Sequence, residues 1–278
     1  MCHVLLSTSH RTSHRTPHSA LRTSHPNRII PPVHRFFAPA FDPGDDTVVL
    51  PKEEAEHVTR VLRLGAGDTV MVFDGRGHEF LARIVGATRR DVRLQLVSRV
   101  DPAAELPFAL TLVQAVLKSD KMDDVVRDGV MLGVTAIQPL VTGRTETTVA
   151  ALIRAARVER WKRVALASVK QSGRAMLPEI RVPLTLASYL QDPPPGLSIM
   201  LVEPSAHVAA EPLSTLRARP MPADAALLVG PEAGWMEDEI AEAHSRGFPL
   251  ITLGHRTLRA DAVPVAAISV FVFLWEHP

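Results

Sequence analysis

Cysteine is almost absent from this chain: Cys2 is the only one among its 278 residues. A single cysteine cannot form an intramolecular disulfide or build a cysteine-based zinc site. We therefore expect a cytoplasmic protein that binds no metal. Long apolar runs are missing too, since the longest, from Ala262 to Trp275, is too short to span a bilayer. That run predicts a buried helix, and we expect no association with a membrane.

Acidic residues are absent from the first 35 positions, which contain five Arg and six His. Without that segment the chain carries 26 basic and 30 acidic residues, so RNA binding by the folded part would need local basic patches. Residues 1–33 include a Ser, His, Arg and Thr repeat and offer little to bury, which predicts a disordered basic tail. A transit peptide or a His-rich metal tract would share this composition, but the prolines and the lack of helical periodicity favour the tail.

Common nucleotide and hydrolase motifs are also missing. The sequence contains no GxGxxG turn, P-loop, zinc signature or serine nucleophile elbow. Dinucleotide enzymes, P-loop NTPases and α/β hydrolases therefore have no support. Any nucleotide-like ligand must be held by different loops.

Short β-forming runs dominate residues 34–105. They are separated by turn signals such as Asp74 to Gly77, and one amphipathic helix is predicted from Glu53 to Leu62. The predicted strands are Thr69–Phe73, Glu79–Val85 and Val92–Val97. Several short strands with one helix predict a compact β-barrel.

Strand and helix patterns alternate in residues 106–278, which predicts an α/β domain with a parallel sheet covered by helices. The predicted strands are Phe108–Val116, Val134–Val141, Leu197–Glu203, Ala225–Gly230 and Pro249–Leu253. The predicted helices are Ser119–Leu132 with a Ser cap, Ala151–Gln171, Met236–Ser245 and Pro264–Trp275.

Two loops of the α/β part carry residues suited to a ligand site. Each follows an apolar strand and precedes a helix: one is GPEAGW from Gly230 to Trp235, and the other is LGHRTLRAD from Leu253 to Asp261. Ligands of open α/β sheets bind beyond the carboxyl ends of the strands. The alternative for the first loop is a tight connection with a solvated Glu232. For the second it is a helix start capped by Asp261, with Pro264 just inside the helix.

A basic cluster accompanies the long predicted helix. Its members are Arg144, Arg154, Arg157, Arg160, Lys162, Arg163, Lys170 and Arg174. Guanidinium groups bind phosphates through paired hydrogen bonds, so a one-sided stripe would form an RNA contact surface. The alternative is an ordinary solvated helix face.

Together these elements resemble the SPOUT methyltransferases, and within them the ribosomal RNA small subunit methyltransferase E group. The resemblance covers almost all of residues 35–275, in order and in spacing. The residues that carry it, besides the two loops, are Arg35-Phe36-Phe37, Glu54-Ala55-Glu56-His57, Val61-Leu62-Arg63-Leu64, Gly67-Asp68, Gln114-Ala115, Lys118, Lys121-Met122-Asp123, Leu132-Gly133-Val134, Arg160-Trp161, Gln171-Ser172 and Arg174.

The resemblance implies an N-terminal PUA-like RNA-binding barrel at residues 34–105 and a C-terminal SPOUT methyltransferase domain at residues 106–278. It implies that the last segments form a trefoil knot, a rare exception to the rule that chains do not thread loops. It also implies a homodimer that uses S-adenosylmethionine to make 3-methyluridine in 16S rRNA of the small ribosomal subunit. The implied cofactor contacts are Leu201, Val202, Glu203, Gly230, Pro231, Glu232, Gly234, Leu253, Gly254, Arg256 and Leu258.

Methylation of uridine N3 requires removal of the N3 proton and alignment of the nitrogen with the methyl group. We expect Arg259 to stabilise the charge that develops on the uracil oxygens, and Asp261 or Glu232 to help remove the proton. The base must be unpaired or flipped out, and Trp235 is then either a stacking face or a core residue. The expected RNA contacts are Arg60, Arg63, Arg83, Arg93, Lys118, Lys121, Arg144 and Arg174.

This chain departs from the family pattern at several positions. Ala233 and Trp235 replace Gly and Phe, and Ala260-Asp261-Ala262 stands where Thr-Glu-Thr is expected. Met131 and Lys170 each replace a Glu, which changes the charge near an RNA or cofactor surface. Two alternatives therefore stay open: a non-catalytic RNA-binding or ribosome-assembly factor on the same fold, and a knotted methyltransferase that acts on another RNA, such as a tRNA ribose 2′-OH.

Overall fold

The computed structural model describes residues 33–88, 90–194, 196–206 and 208–276. Residues 1–32 of the predicted basic tail lie outside this part of the chain. Within it, no helix is both long enough and apolar enough to cross a membrane. The apolar run near the C-terminus forms the helix Val263–Trp275, which has Pro264 in its first turn and buries Phe271 and Trp275, as predicted.

The first sheet is built from short strands rich in β-branched and aromatic residues, with buried and exposed side chains alternating along much of their length. Its described strands are β1 (Arg35–Phe37), β2 (Thr47–Val49), β3 (Thr69–Phe73), β4 (Glu79–Ala87) and β5 (Val92–Val100). They pair in the order β1-β3-β4-β5-β2. The sheet has an apolar core of its own, which includes Phe36, Val72, Ile84 and Leu94. The mainly β character predicted for this part is confirmed.

One helical segment packs on this sheet. Helix α1 (Lys52–Glu56) continues into a wider π-helical turn, His57–Val61, so the predicted helix is confirmed in extent. Ala55 and Val58 are buried in the core of the sheet, whereas Val61 is exposed. A π-helical turn is uncommon and often marks a functional position.

The second sheet is parallel in all of its described strand pairs. Its described strands are β6 (Ala109–Ala115), β7 (Ala136–Val141), β8 (Glu179–Ile180), β9 (Leu184–Thr185), β10 (Leu197–Leu201), β11 (Glu211–Pro212), β12 (Asp224–Val229) and β13 (Leu250–Thr252). Their order is β11-β13-β10-β12-β6-β7-β8, and β9 also pairs with β7. The predicted parallel α/β architecture is confirmed. The trefoil knot stays a prediction, because pairing order does not define which loop the chain passes through.

Helices cover both faces of this sheet. They are α2 (Lys121–Met131), α3 (Val149–Arg154), α4 (Arg157–Ser172), α5 (Leu186–Gln191), α6 (Glu237–Ser245) and α7 (Val263–Trp275). Leu227 of β12 lies in a core with α2, α4 and α7, whereas its neighbour Leu228 lies in a core with α5 and α6. Adjacent strand residues point to opposite faces, so the continuous apolar run of β12 supplies both cores.

The single helix predicted from Ala151 to Gln171 is wrong. The segment forms α3 and α4, and Ala156 between them has a left-handed backbone with φ of 49°. Leu152 and Trp161 both belong to the same core. In one continuous helix, residues nine positions apart would point in directions roughly 180° apart. The break therefore allows both side chains to reach the core.

The predicted Ser cap of α2 is also wrong. Ser119 has φ of 54°, and α2 begins only at Lys121, after Asp120, with no side-chain cap. The left-handed turn instead directs the Ser119 carbonyl toward Arg157, whose guanidinium donates to it at 2.9 Å.

A polar junction joins the first sheet to the second. We use this name for the contacts that Arg35, Glu54 and the turn from Asp74 to His78 make with the segment Val169–Leu177. Arg35 donates to Glu79 at 2.7 Å, and it also donates at 2.8 Å to two backbone oxygens in the last turn of α4 and to the Arg174 oxygen just beyond the helix. Helix C-termini leave carbonyl oxygens without partners inside the helix, so the guanidinium satisfies acceptors that would otherwise lack one.

The junction also explains one departure from the family pattern. Lys170, which stands where a Glu is expected, forms an ion pair with Glu54 of α1. Backbone hydrogen bonds from Gly77 to Ala175 and from Leu177 to Gly75 add to the contact. The lysine at position 170 therefore has a structural role, because its ion pair with Glu54 connects α4 to α1.

Candidate active site

Three loops of the parallel sheet meet at one edge because their strands are neighbours. Strands β13, β10 and β12 lie side by side. The carboxyl end of β10 leads into loop 202–204, that of β12 into loop 230–235 and that of β13 into loop 253–261. These loops and the start of α2 enclose a cavity of about 210 Å³, which we call the first cavity. The two motif loops, separate in the sequence, are therefore parts of one site.

Most predicted site residues line the first cavity. The three predicted catalytic residues, Glu232, Arg259 and Asp261, are among them. The predicted cofactor residues that line it are Leu201, Val202, Glu203, Gly230, Pro231, Glu232, Gly234, Leu253, Arg256 and Leu258. Gly254 is not part of the wall. Its φ of 102° is a conformation suited to glycine, and it turns the chain after Leu253.

Glu232 is held by two donors. Its Oε1 accepts hydrogen bonds from the backbone N–H of Lys118 at 3.1 Å and from the Lys121 ammonium group at 3.2 Å. Burial by itself raises the pKa of the Glu232 carboxyl, but hydrogen bonds from its own amide, from the Lys118 amide and from Lys121 outweigh burial and lower it. Glu232 is therefore a carboxylate at neutral pH, and it fixes the Lys121 ammonium at the cavity wall.

Arg259 and Asp261 pair within one loop. Nε and Nη2 of Arg259 donate to the two oxygens of Asp261 at 3.1 and 2.9 Å. This paired hydrogen bonding lowers the pKa of Asp261 and raises that of Arg259, because each charge stabilises the other. The Arg259 side chain is 75% exposed, so its guanidinium is accessible from solvent. Asp261 does not cap α7, since Ala262 occupies the cap position.

Trp235 is a buried residue of the site. Only 6% of it is exposed, and its Nε1 donates to the backbone oxygen of Leu201 at 2.8 Å. A Cβ at Gly230 would lie 3.2 Å from the indole ring, so the ring packs closely on the start of its own loop. The core interpretation of Trp235 is confirmed, and the ring ties the loop after β12 to the end of β10.

A second cavity of about 300 Å³ lies beside the first. Glu203, Gly234 and Trp235 line both cavities. The other lining residues of the second cavity are Arg144, Ser205, Ala206, Val208, Glu237 and Ile240. Nη1 of Arg144 donates to the backbone oxygen of Ala233 at 2.6 Å, which connects the loop after β7 to the GPEAGW loop.

The predicted RNA contacts fall in different places. Those on the first sheet and its π-helical turn are exposed: Arg60, Arg63, Arg83 and Arg93. Lys118 is exposed and pairs with Glu146 at 2.6 Å, which raises the pKa of the Lys118 ammonium. Lys121 lines the first cavity and Arg144 the second.

Arg174 cannot contact RNA, and that prediction is wrong. Its side chain is only 4% exposed, and it donates to Glu105 and to the backbone oxygens of Val130 and Val134. These bonds join the end of α2 to the segment before β6. Burial with a carboxylate and two carbonyl acceptors gives this guanidinium a structural role.

Several other members of the basic cluster are also occupied within the protein. Arg160 pairs with Asp120 and Asp123, and Lys162 pairs with Glu159. Partners of this kind favour the alternative of a solvated, ion-paired helix face over an RNA stripe.

Some lining residues were not predicted from the sequence. In the first cavity they are Pro204, Val229, Thr257, Ala260 and Val263, each of which lies within two residues of a predicted one. The second cavity itself was not predicted, although Arg144, Glu203 and Gly234 in its wall were each predicted for other roles. It joins Arg144 after β7 to Ile240 on α6, and no sequence motif links those positions.

Known protein families match both parts of the chain. A family model described as an RNA methyltransferase domain matches residues 104–272, and one described as an RNA methyltransferase PUA domain matches residues 50–97. The first model alone spans more than half of the chain. The chain belongs to this RNA methyltransferase family. The PUA match agrees with the mainly β first sheet.

Relatives within the family carry the name that the motifs indicated. The ribosomal RNA small subunit methyltransferase E of Synechocystis is 33% identical over 235 residues, which is 83% of this chain and 74% of the relative. The solved methyltransferase E of Neisseria gonorrhoeae, bound to S-adenosyl methionine, is 30% identical with a TM-score of 0.78, over 87% of this chain and 98% of that one. A Legionella pneumophila methyltransferase solved with bound SAM is 28% identical with a TM-score of 0.77, over 87% and 97%. The predicted family is confirmed.

Proposed function

We propose that this protein transfers a methyl group from S-adenosylmethionine to N3 of a uridine in 16S rRNA of the small ribosomal subunit. The observation that carries the proposal is the first cavity, where three loops of the methyltransferase part bring Glu232, Arg259 and Asp261 together. The relatives from Synechocystis and Neisseria gonorrhoeae are named as methyltransferases of small-subunit rRNA. The Neisseria protein and a Legionella methyltransferase of the same fold were solved with the methyl donor. We place the reaction in the cytoplasm.

The chemistry of the cavity wall fits S-adenosylmethionine. Apolar side chains such as Leu201, Leu253 and Leu258 suit the faces of an adenosine group, and exposed backbone of the glycine loops can contact its edges. Carboxylates at the wall suit a ligand with a positively charged sulfur, and the exposed guanidinium of Arg256 suits the ligand's carboxylate. When bound, the cofactor supplies an electrophilic methyl group.

The side chains of the cavity supply positioning and charge. Arg259 donates hydrogen bonds to a uracil oxygen as negative charge develops there, which its exposure permits. Glu232 and Asp261 are the proton acceptors proposed from the sequence. Both already accept hydrogen bonds from cationic groups, which stabilises their ionised form and weakens them as bases.

The target base must be unpaired or flipped to expose N3. Exposed arginines of the first sheet, Arg60, Arg63, Arg83 and Arg93, supply affinity for the phosphates around it, together with Lys118. The protein acts as a homodimer. Helix α7 offers a surface for this contact, because it is mostly apolar and its Phe273 side chain is 64% exposed.

The substituted family positions give little support to a non-catalytic factor. Met131 ends α2 and lines neither cavity, so the absent carboxylate is not part of the site. Lys170 is engaged by Glu54 at the junction. The carboxylate of the second loop is kept as Asp261, and it pairs with Arg259.

The test is methyl transfer from labelled S-adenosylmethionine to small ribosomal subunits that lack the modification. Reverse transcription maps the site, because a methyl on N3 blocks base pairing. We expect label in 16S rRNA and an arrest at one uridine. No transfer to subunits, to naked rRNA or to tRNA, despite RNA binding, would favour the non-catalytic alternative, and label on a tRNA ribose would favour the other methyltransferase.

Replacement of Arg259 tests the proposed charge stabilisation. We expect Arg259→Ala to lower kcat by about 10²-fold, the scale of losing one donor to a developing oxyanion. Arg127→Ala is the matched control, since Arg127 is an ion-paired, exposed arginine of α2 outside both cavities. Full turnover of Arg259→Ala at saturating cofactor and RNA would rule out this role.

A further inference from the structure

The two cavities meet at Gly234, whose surroundings contain opposite charges. A Cβ built at Gly234 would lie 3.0 Å from Oε1 of Glu203 and 3.9 Å from Nη1 of Arg144. The backbone of Gly234 has φ of 71°, so this residue provides both the turn and the room between the two side chains. Any larger residue at position 234 would press on the Glu203 carboxylate.

Glu203 and Arg144 are close but do not pair with each other. Among the described residues, ion pairs within 4.0 Å include Arg259 with Asp261 and Lys121 with Glu232, but none involves Glu203 or Arg144. Within the described part of the chain, the Glu203 side chain has one weak contact, from Ser205 at 3.4 Å, and the Arg144 side chain has one bond, to the Ala233 oxygen. Both side chains are exposed and line the second cavity. A carboxylate and a guanidinium therefore face one space with hydrogen-bonding capacity left for a ligand.

We propose that the second cavity receives the uracil ring of the target nucleotide, with Glu203 as the acceptor of the N3 proton and Arg144 as a donor to an adjacent uracil oxygen. This inference rests on the proposed function and names the substrate site within it. It reassigns Glu203, which the family resemblance placed among the cofactor contacts, and it makes Glu203 the proton acceptor in place of Glu232 and Asp261.

The hydrogen-bonding edge of uracil matches this pair. That edge presents an oxygen acceptor, the N3–H donor and a second oxygen acceptor. The carboxylate accepts from N3–H while the guanidinium donates to a flanking oxygen. Cytosine would be rejected, because its N3 carries an electron pair in place of a proton and would face the Glu203 carboxylate. A site that hydrogen-bonds a substrate group discriminates strongly against an analogue that lacks that group.

The position of Glu203 directs N3 toward the cofactor. Glu203 lines both cavities, so a base that it holds in the second cavity places N3 at the boundary with the first. There the N3–H bond breaks and the proton moves to a Glu203 oxygen. The electron pair of N3 forms the new N–C bond, and the electron pair of the broken C–S bond returns to sulfur. Arg144 offsets the negative charge that the uracil oxygens carry during this step.

The experiment compares Glu203→Gln with the wild-type full-length chain on unmodified small ribosomal subunits. We expect kcat to fall by about 10²- to 10⁴-fold, the range for loss of a general base. Affinity for S-adenosylmethionine and S-adenosylhomocysteine, measured by calorimetry, should stay within about twofold of wild type. Asp238→Asn, an exposed carboxylate in the first turn of α6 outside both cavities, is the matched control and should match wild type.

The pH dependence gives a second readout that a structural role would not produce. Without the carboxylate, the reaction depends on uracil that has already lost its proton, so the rate of Glu203→Gln should rise roughly tenfold per pH unit across neutral pH. The wild-type rate should depend less steeply on pH. Arg144→Met should lower kcat/KM for subunits about tenfold, because Arg144 both contacts the base and offsets its developing charge. Arg144→Lys should recover part of that loss, with cofactor affinity unchanged in both.

The outcomes separate this inference from the proposed function. A wild-type protein that does not methylate uridine N3 would overturn the proposed function and this inference with it. An active wild type together with an unchanged kcat in Glu203→Gln would overturn the inference alone. So would a loss of cofactor affinity in Glu203→Gln large enough to account for the lost activity, since Glu203 would then belong to the cofactor site.

Discussion

The junction contains arginines, and so does the outer face of the first sheet, by which we mean the side of β4 and β5 that carries Arg83 and Arg93. The two regions use their arginines in opposite ways. Arg35 and Arg174 direct their guanidinium groups at carboxylates and backbone oxygens inside the protein. Arg83 and Arg93 are exposed on strands whose neighbouring residues are buried. A basic residue in an RNA-binding protein is therefore not by itself an RNA contact. Exposure and unoccupied donors distinguish the two uses.

The largest change in the free energy of unfolding is expected at Arg174. Replacing it with Met leaves Glu105 and two backbone oxygens without their donor, so the free energy of unfolding should fall by about 3 kcal/mol. Urea unfolding measures this change. Arg154→Met, an exposed position on α3, is the control and should stay within about 0.5 kcal/mol of wild type. A stable Arg174→Met variant with weakened RNA binding would reverse our assignment of this residue.

The next effect depends on pH and concerns the turn that reaches the junction. The Asp74 side chain is fully buried and accepts hydrogen bonds from the Arg76 and His78 amides and from the His78 ring. Burial by itself raises the pKa of Asp74, but the hydrogen bonds from His78 and Arg76 outweigh it and lower the pKa below its usual 3.8. A lowered folded-state pKa means stability that is fully present above the usual value and is lost as pH falls through the folded value.

Asp74→Asn should therefore lower the free energy of unfolding by about 2 kcal/mol at neutral pH. The difference from wild type should start to shrink as the pH falls below about 4, and it should be lost once the pH passes the lowered folded-state pKa, where the wild-type carboxyl is neutral too. Urea titrations across this range provide the measurement, with the exposed Asp91→Asn as control. If the two free energies of unfolding differed by the same amount at every pH, the shape of the side chain at position 74, and not its charge, would be what stabilises the fold.

The smallest expected effect lies on the outer face of the first sheet. The double variant Arg83→Met with Arg93→Met should bind unmodified subunits about tenfold more weakly at 0.1 M salt, and the salt dependence of binding should fall by roughly two charges. Filter binding across a salt series measures both quantities, and unfolding midpoints monitor the fold. An unchanged salt dependence would mean that Arg83 and Arg93 do not contact RNA phosphates. The RNA surface would then lie elsewhere, and exposure would not distinguish these arginines from those of the junction.

Regular hydrophobic patterns allowed much of the fold to be predicted. The runs that became β3, β6, β10 and β12 are continuous or alternating, and their period reflects the faces they bury. The short strands β8, β9 and β11 were missed because two residues carry no period. The break at Ala156 was missed as well, because alanine favours helix. The left-handed turn there forms because Leu152 before it and Trp161 after it both pack in the same core.

Part of the site could likewise be predicted from the sequence, and part could not. The loops GPEAGW and LGHRTLRAD were visible in the sequence because each is a compact run with glycines, a carboxylate and an apolar strand before it. Their meeting depended on β10 and β12 being neighbours, with β13 on the far side of β10. The second cavity had no such signal, because Arg144 and Glu203 are brought together by the packing of separate loops around Gly234.

Local periodicity and short motifs depend only on neighbours along the chain. They were therefore enough to identify the α/β class, the mainly β first part, the two motif loops and the family. Tertiary structure alone decided which charges face inward and which face solvent. It made Arg174 and Lys170 structural, paired Arg259 with Asp261 and left Glu203 and Arg144 facing a common space. The physical reason is that burial and pairing of a charge depend on groups distant in sequence, which only the packed chain brings within reach.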